Sequence, residues 1–491
     1  MRAEGRGRAA RVAAQDRGGG HRYKQELARS VSVLGNIVVT LSGTTPAASV
    51  FVIAPVALFT AGSGSFLAFV LAAIVGLLMA FCWAELGNSY PIAGGDYALV
   101  WHSFKGRSSP LAGPLSFITF ALYVDFMAFI PATIALGAGT YFGVVANVDP
   151  RYVGAVILVV AAALATREIR FNTVVTSIFL AIELAALVVL TVLGLSHARN
   201  WGSLVHPVIA GGHGLVPVPF SITAAAAAIA IFSFAGYQSS VTYSEETRNP
   251  RRNVARAVLW ALAITVAAEL IPFTAAIVGA PSLSKLTTSQ VPFQYLIEAT
   301  SNHVVYDVVS IGIVLAILNA VIAQVLGFGR ILYSSGRDRA WPGPVSHWVS
   351  AVHPRFRSPW VATILLGVVG VVMCLSVSLT TLANLTGASL VVDYALIAIA
   401  ALVARLTGAT ARGSYKMPLW PLPPILALAA LGYVFTQQTR LLIVVTLITV
   451  GIGLVYWAIV ILPQRGRAWN LREAAVDESE AAAAEDAPSG R

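Results

Sequence analysis

Apolar stretches of about twenty residues recur along this chain, and short polar connections separate them. That length is what a helix needs to cross the hydrocarbon core of a bilayer, about 20 residues at 1.5 Å each. Twelve such runs can be read, roughly at 31–59, 64–88, 113–141, 151–166, 171–195, 218–243, 257–279, 303–329, 359–379, 380–404, 420–437 and 441–463. The composition leaves little choice of solvent. Hydrophobic residues make up 57% of the 491 and charged residues 11%, whereas a soluble domain carries about 25% charged residues. The chain is read as an all-α polytopic membrane protein with twelve transmembrane helices.

Lysine and arginine set an orientation. The N-terminal tail holds eight and the even-numbered connections and the C-terminal tail hold twenty more, against four (Arg151, Arg199, Lys285 and Arg440) on the opposite side. Positive charge concentrates on the cytoplasmic side of membrane proteins. The expectation is therefore a multi-pass protein of the plasma membrane with both termini cytoplasmic. The net charge of +10 follows from this asymmetry and requires no nucleic acid. Residues 1–30 read as a basic cytoplasmic tail, 31–463 as the helical domain, and 464–491 as a disordered cytoplasmic tail. Cys82 and Cys374 both fall inside apolar runs, so no disulfide framework is expected. No nucleophile–base pair and no metal-ligand spacing is visible, which argues against an enzyme, and neither a cofactor nor a metal is expected.

Two runs are interrupted. The first, "VLGNIVVTLSGTTPAASVFVIAP", carries Gly43 and Pro46 at its middle; the sixth, "IAIFSFAGYQSSVTYSEETRNP", carries Gly236. Proline removes a backbone donor and clashes with the preceding turn. Unwound backbone at membrane depth survives only where protein covers it or where it lines a wet cavity. Corresponding interruptions in two halves of a chain point to an inverted-repeat transporter and its binding site. Free N–H groups at a broken helix start suit a carboxylate, and free carbonyls at a broken helix end suit an ammonium group, so a zwitterion matches both.

Several motifs resemble those of the amino acid–polyamine–organocation permeases. Phe234 to Tyr237 followed by Glu245, Glu246, Thr247, Asn249 and Pro250 is similar to that family's sixth helix. "AELGNSYPIAGGDYALV" is similar to the end of its second helix, "GRILYSSGRDRAWP" to the segment after its eighth, and "YKMPLWPLPP" to that before its eleventh. The resemblance implies a five-plus-five inverted repeat with discontinuous helices 1 and 6, plus two extra helices. It also implies secondary active transport of an amino acid by alternating access, proton-coupled or by exchange. An amine or polyamine permease and a non-transporting nutrient sensor of the same fold are the alternatives. Carried over by position, substrate contacts would be Thr44, Thr45, Ala47, Ala48 and Ser49, with Phe234, Ala235, Gly236 and Tyr237, and Phe234 or Tyr237 would serve as a gate. Glu183 stands where some members carry a lysine. The stretch Asn319 to Arg330 contains no Ser or Thr, unlike sodium-coupled proteins of this fold.

Four acids fall near the centres of runs with no base at matching depth: Asp125, Glu183, Glu269 and Asp393. Such acids are rare and mark proton or substrate paths. All four are candidates for coupling, with Glu183 preferred, and Asp125 is the candidate to meet a substrate amine. The expected partners are an amino acid or amine, membrane lipid and protons. Gly94, Gly95 and Asp96 are read as shaping a turn, and the charged stretch from Glu245 to Arg252 as a gate of ion pairs or a solvated loop.

Overall fold

The computed structural model describes residues 23–24, 31–91, 95–105, 108–166, 170–212, 214–244, 246–356, 358–411, 413–464, 468–469, 471 and 474–475. The basic tail before Val31, apart from two residues, and the stretch after Ala475 lie outside these. So do Gly94 and Glu245, singled out in the sequence.

The described chain is helical almost throughout, as a backbone without water must be, since a helix satisfies its own N–H and C=O groups. The apolar runs coincide with helices: α1 (Val33–Thr44), α2 (Ala54–Ala61), α3 (Ser65–Ser89), α4 (Gly95–Ser103), α5 (Ala112–Ala146), α6 (Pro150–Ala165), α7 (Arg170–Ser196), α8 (Phe220–Phe234), α9 (Pro250–Gly279), α10 (His303–Arg337), α11 (Trp360–Ser376), α12 (Leu379–Leu406), α13 (Leu422–Thr436) and α14 (Arg440–Tyr456). Eight helical stretches are long and apolar enough to cross a membrane. One of them, Val33–Ser89, is broken at Gly62, which has φ 54° and opens a 3-10 turn; a Cβ there would lie 2.3 Å from the Val208 carbonyl oxygen. A hairpin of β1 (Val208–Gly211) and β2 (Gly214–Pro217) lies in the connection between α7 and α8.

Small side chains draw the central helices together. Ala226 to Ala230 on α8 are buried where that helix packs on α3 and α12, the use of small residues expected where lipid supplies no hydrophobic drive between helices. By contrast α14 lies at the edge. Its Leu441, Val444, Ile448, Ile452 and Val455 are exposed at helical spacing, a face suited to lipid tails.

Beyond α14 the chain folds back. Ala468, Trp469 and Leu471, which the sequence assigned to a disordered tail, are buried. The Trp469 indole donates to Ser116 Oγ at 2.8 Å, and its backbone N–H donates to the Asp338 carbonyl at 3.0 Å. Its ring packs among Tyr97, Phe117 and Phe120. Aromatic burial of this kind holds these few residues against the helices, while the low-complexity tail after Ala475 lies outside the described residues.

Candidate functional site

The first interruption begins at Thr45, which caps α1 in the left-handed conformation (φ 51°, ψ 69°). A side chain pays about 1 kcal/mol or more to sit there. Pro46 explains why the right-handed helix stops at Thr45, because proline disfavours the α region for the residue before it, and proline itself starts a helix well. The chain resumes as a short turn, Pro46–Ala48, and then a π-helical turn, Ser49–Ile53, before α2. π-Turns inside helices cluster at functional sites. Gln324, on α10, donates its side-chain amide to the Gly43 carbonyl at 3.1 Å, so one carbonyl of the broken end is met from another helix.

The second interruption follows α8. Ala235 is extended (φ −62°, ψ 141°), Gly236 has φ 127°, and a 3-10 turn, Tyr237–Val241, follows. A Cβ on Gly236 would lie 2.6 Å from Thr44 Oγ1 and 3.0 Å from Thr44 Cα. The two interruptions therefore touch, and only glycine permits it. Ser49 Oγ adds a direct link by donating to the Ser233 carbonyl at 2.8 Å.

Two of the four unpaired acids converge on this contact. Glu269, on α9, accepts from Ser233 Oγ at 2.6 Å and lies beside Ser49, so it stands at both interruptions. Glu183, on α7, lies beside the Ala47 backbone N–H and accepts, at 3.4 Å, from the Asn319 amide. Both carboxyls are fully buried, and Glu183 Oε2 and Glu269 Oε1 meet no donor among the described residues. A buried charge without a partner is costly, so each is arranged as a group that can take up a proton.

The other two acids lie elsewhere. Asp125 is bonded by Ser389, on α12, at 3.1 Å and lies near Thr449, on α14. It thus faces the edge helix and is not brought to the interruptions, because the sequence places it on a helix without fixing that helix's rotation. Asp393 faces Asp96 on α4. Of the residues expected to contact substrate, Thr44, Thr45, Ala47, Ala48, Ser49, Ala235 and Gly236 are gathered at the contact. The rings of Phe234 and Tyr237 turn from it into packing, Phe234 against Phe69 at 5.3 Å and Tyr237 against Trp83 at 5.6 Å.

Two further networks escaped the sequence reading. Asn36 donates to the Ser240 carbonyl and to Thr247 Oγ1 at 3.1 and 2.9 Å, and Thr40 shares a hydrogen bond with Ser240 at 3.0 Å. These bonds tie α1 to the turn after the second interruption. Val31 extends the tie, its N–H donating to the Glu246 carbonyl and its own carbonyl accepting from Arg248 N–H. Among the described residues the ion pairs are Arg337–Asp338 and Arg405–Glu85, neither in the Glu246–Arg252 stretch. Glu85 is the more connected: its carboxylate takes Arg405, the Met417 N–H at 2.8 Å and Thr410 Oγ1 at 3.0 Å. The signal was present in the "AEL" motif, where a glutamate closes an apolar helix.

Comparison with known proteins agrees in its breadth. The family described as "Amino acid permease" matches residues 30–462. The chain is 24% identical over 425 residues to the methylthioribose transporter of Bacillus subtilis, covering 82% of this chain and 87% of that one. It is 23% identical over 426 residues to the branched-chain amino acid permease BcaP of the same species, covering 83% and 88%. It is also 24% identical over 403 residues to human cationic amino acid transporter 4, covering 77% and 60%.

Proposed function

The chain belongs to the amino acid permease family, a family of transporters and not of enzymes, and from this we propose that it is a secondary active transporter moving an amino acid across the plasma membrane by alternating access. The observation that carries the reading is the contact of Gly236 with Thr44, where two interrupted helices meet beside Glu183 and Glu269. Such a meeting offers free backbone N–H and C=O groups to a zwitterion at one point. The relatives' names differ in cargo: the branched-chain amino acid permease and the cationic amino acid transporter share amino acid transport with this reading, and the methylthioribose transporter is named for another solute.

The proposed architecture has twelve crossings. Val33–Ser89 counts as two, since its 57 residues are too many for one crossing and break at Gly62, seven more helices are long and apolar enough, and α6, α11 and α13 are shorter apolar helices. Crossings one to five and six to ten form the two repeats, so the interruptions fall at the first crossing of each. The bias of 28 basic residues to four supports cytoplasmic termini. The unpartnered oxygens of Glu183 and Glu269 support proton coupling, with Glu183 the first choice because it lies beside the restarted helix at Ala47.

Uptake by purified protein in liposomes tests the reading, with a panel of amino acids and amines, with and without a proton or sodium gradient. Accumulation of an amino acid driven by a proton gradient, or its exchange, is expected. Uptake of amines alone would move the assignment to an amine carrier, and binding without uptake to a sensor.

A further inference from the structure

Beyond the α8 interruption, past the ring of Tyr237, two carboxyls meet with no lysine or arginine paired to either among the described residues. Asp96 and Asp393 are 3% and 1% exposed. Asp96 is well supplied with donors, the Trp83 indole at 2.7 Å on Oδ1 and the Tyr123 hydroxyl at 3.0 Å on Oδ2. Neither oxygen of Asp393 meets an amide, a hydroxyl or a cation among the described residues. What it faces is the carboxyl of Asp96. Aromatic rings close the surroundings, with Trp83 edge-on to Tyr237 at 5.6 Å and to Tyr394 at 4.7 Å. The Tyr394 hydroxyl is also buried and meets no geometric hydrogen-bond partner among the described residues; it lies beside Tyr237 and within electrostatic reach of both carboxyls.

Two carboxylates in such a place would repel each other and lose their hydration together. One proton removes both difficulties, because a protonated carboxyl donates to its neighbour and supplies the bond that Asp393 lacks. The surrounding groups offer no other remedy. From α3 come Cys82, whose thiol donates to the Leu78 carbonyl, and Glu85, which is held by Arg405, the cation of α12. From α5 come Tyr123 and Asp125, the latter bonded to Ser389 one turn before Asp393. His102, on α4, is stacked on Tyr90. Burial raises the Asp96 carboxyl to about 6, against the hydrogen bonds from Trp83 and Tyr123 that lower it.

We propose that Asp96 and Asp393 hold one proton in common, and that this shared proton seals α4 against α12 below the α8 interruption. When it passes to water, two carboxylates remain, and their repulsion parts the two helices. The proton site stands on the side-chain arrangement; only its use as a gate rests on the transport reading.

The unfolding midpoint of the full-length protein in detergent, followed by tryptophan fluorescence from about pH 4.5 to about pH 8, tests the pair. The folded state holds a proton that the unfolded chain has released, so the wild-type midpoint falls as pH rises. Asp96→Asn and Asp393→Asn should each flatten this fall by a similar amount, and the double variant should flatten it no further, because one proton is shared. An unchanged slope in both single variants, or twice the flattening in the double variant, overturns the proposal. So does a slope that disappears when sodium and potassium are replaced by choline, since a metal cation would then occupy the pair. Should the variants not fold, infrared spectra of the wild-type protein with isotope-labelled aspartate serve instead. They must contain a protonated-carboxyl band that is lost as pH rises, and its absence overturns the proposal. Successful uptake in liposomes beside an unchanged slope removes the proton pair alone, and a shared proton beside failed uptake removes the transport reading alone.

Discussion

Gly236 lies against Thr44, so close that a single methyl group on the glycine would reach 2.6 Å from the threonine hydroxyl oxygen. These residues are 192 positions apart in the chain, and their contact joins the two interrupted helices. Gly236→Ala should abolish uptake and lower stability by about 2 kcal/mol, since the new side chain meets both a clash and a left-handed backbone at φ 127°. Gly43→Ala is the matched control, because a Cβ at Gly43 has nothing within 4 Å. Uptake and unfolding midpoints of the two variants check this, and equal effects would remove the contact as the explanation.

Glu183→Gln keeps a carbonyl oxygen for the Asn319 amide and cannot take up a proton. Accumulation driven by a proton gradient should be lost, while counterflow exchange at equal pH on both sides persists. The pH dependence of uptake should flatten as well. A variant that accumulates substrate like the wild type would move the coupling role to Glu269.

Glu85 accepts from Arg405, Met417 and Thr410 at once, joining α3 to α12 and to the chain that follows it. Glu85→Ala leaves Arg405 without its partner and should cost about 3 kcal/mol, the low end for a broken buried pair, since Arg405 keeps some contact with solvent. Glu85→Gln, which still accepts from Met417 N–H, should lose less. Thermal unfolding of both variants is the measurement.

Asp338 gives a second, separate pH effect. Burial raises its carboxyl to about 6, opposed by Arg337 and by the Tyr97 hydroxyl. A carboxyl whose folded value lies above its ordinary value of about 3.9 stabilises the fold most below that ordinary value. Its contribution is lost as pH rises through about 6. Asp338→Asn should therefore remove part of the decline in unfolding midpoint between about pH 4 and about pH 7, additively with changes at Asp96 and Asp393.

Much of this arrangement could be read from the chain, and what could not has physical reasons. Apolar length located the helices, but hydropathy stops where charge begins while hydrogen bonding continues. Hence α9 starts at Pro250 and not at 257, and α10 runs on to Arg337 and not to 329. Gly236 and Pro46 marked the interruptions because backbone geometry depends on those residue types. The π-turn at Ser49–Ile53 left no mark, since its residues are ordinary helix formers. Asp125 and Asp393 looked alike as lone acids in apolar runs. Only the rotation of α5 and α12 separates them, sending one toward α14 and the other toward Asp96. Asp96 itself read as a turn residue, because its partner lies 297 positions away.

Trp469 bears on how the protein can be handled. A chain shortened at Gln464 would leave Tyr97, Phe117 and Phe120 uncovered, an aromatic patch on the water-facing side that invites aggregation. A purification tag or fluorescent fusion belongs after Leu471, where it leaves that cover in place.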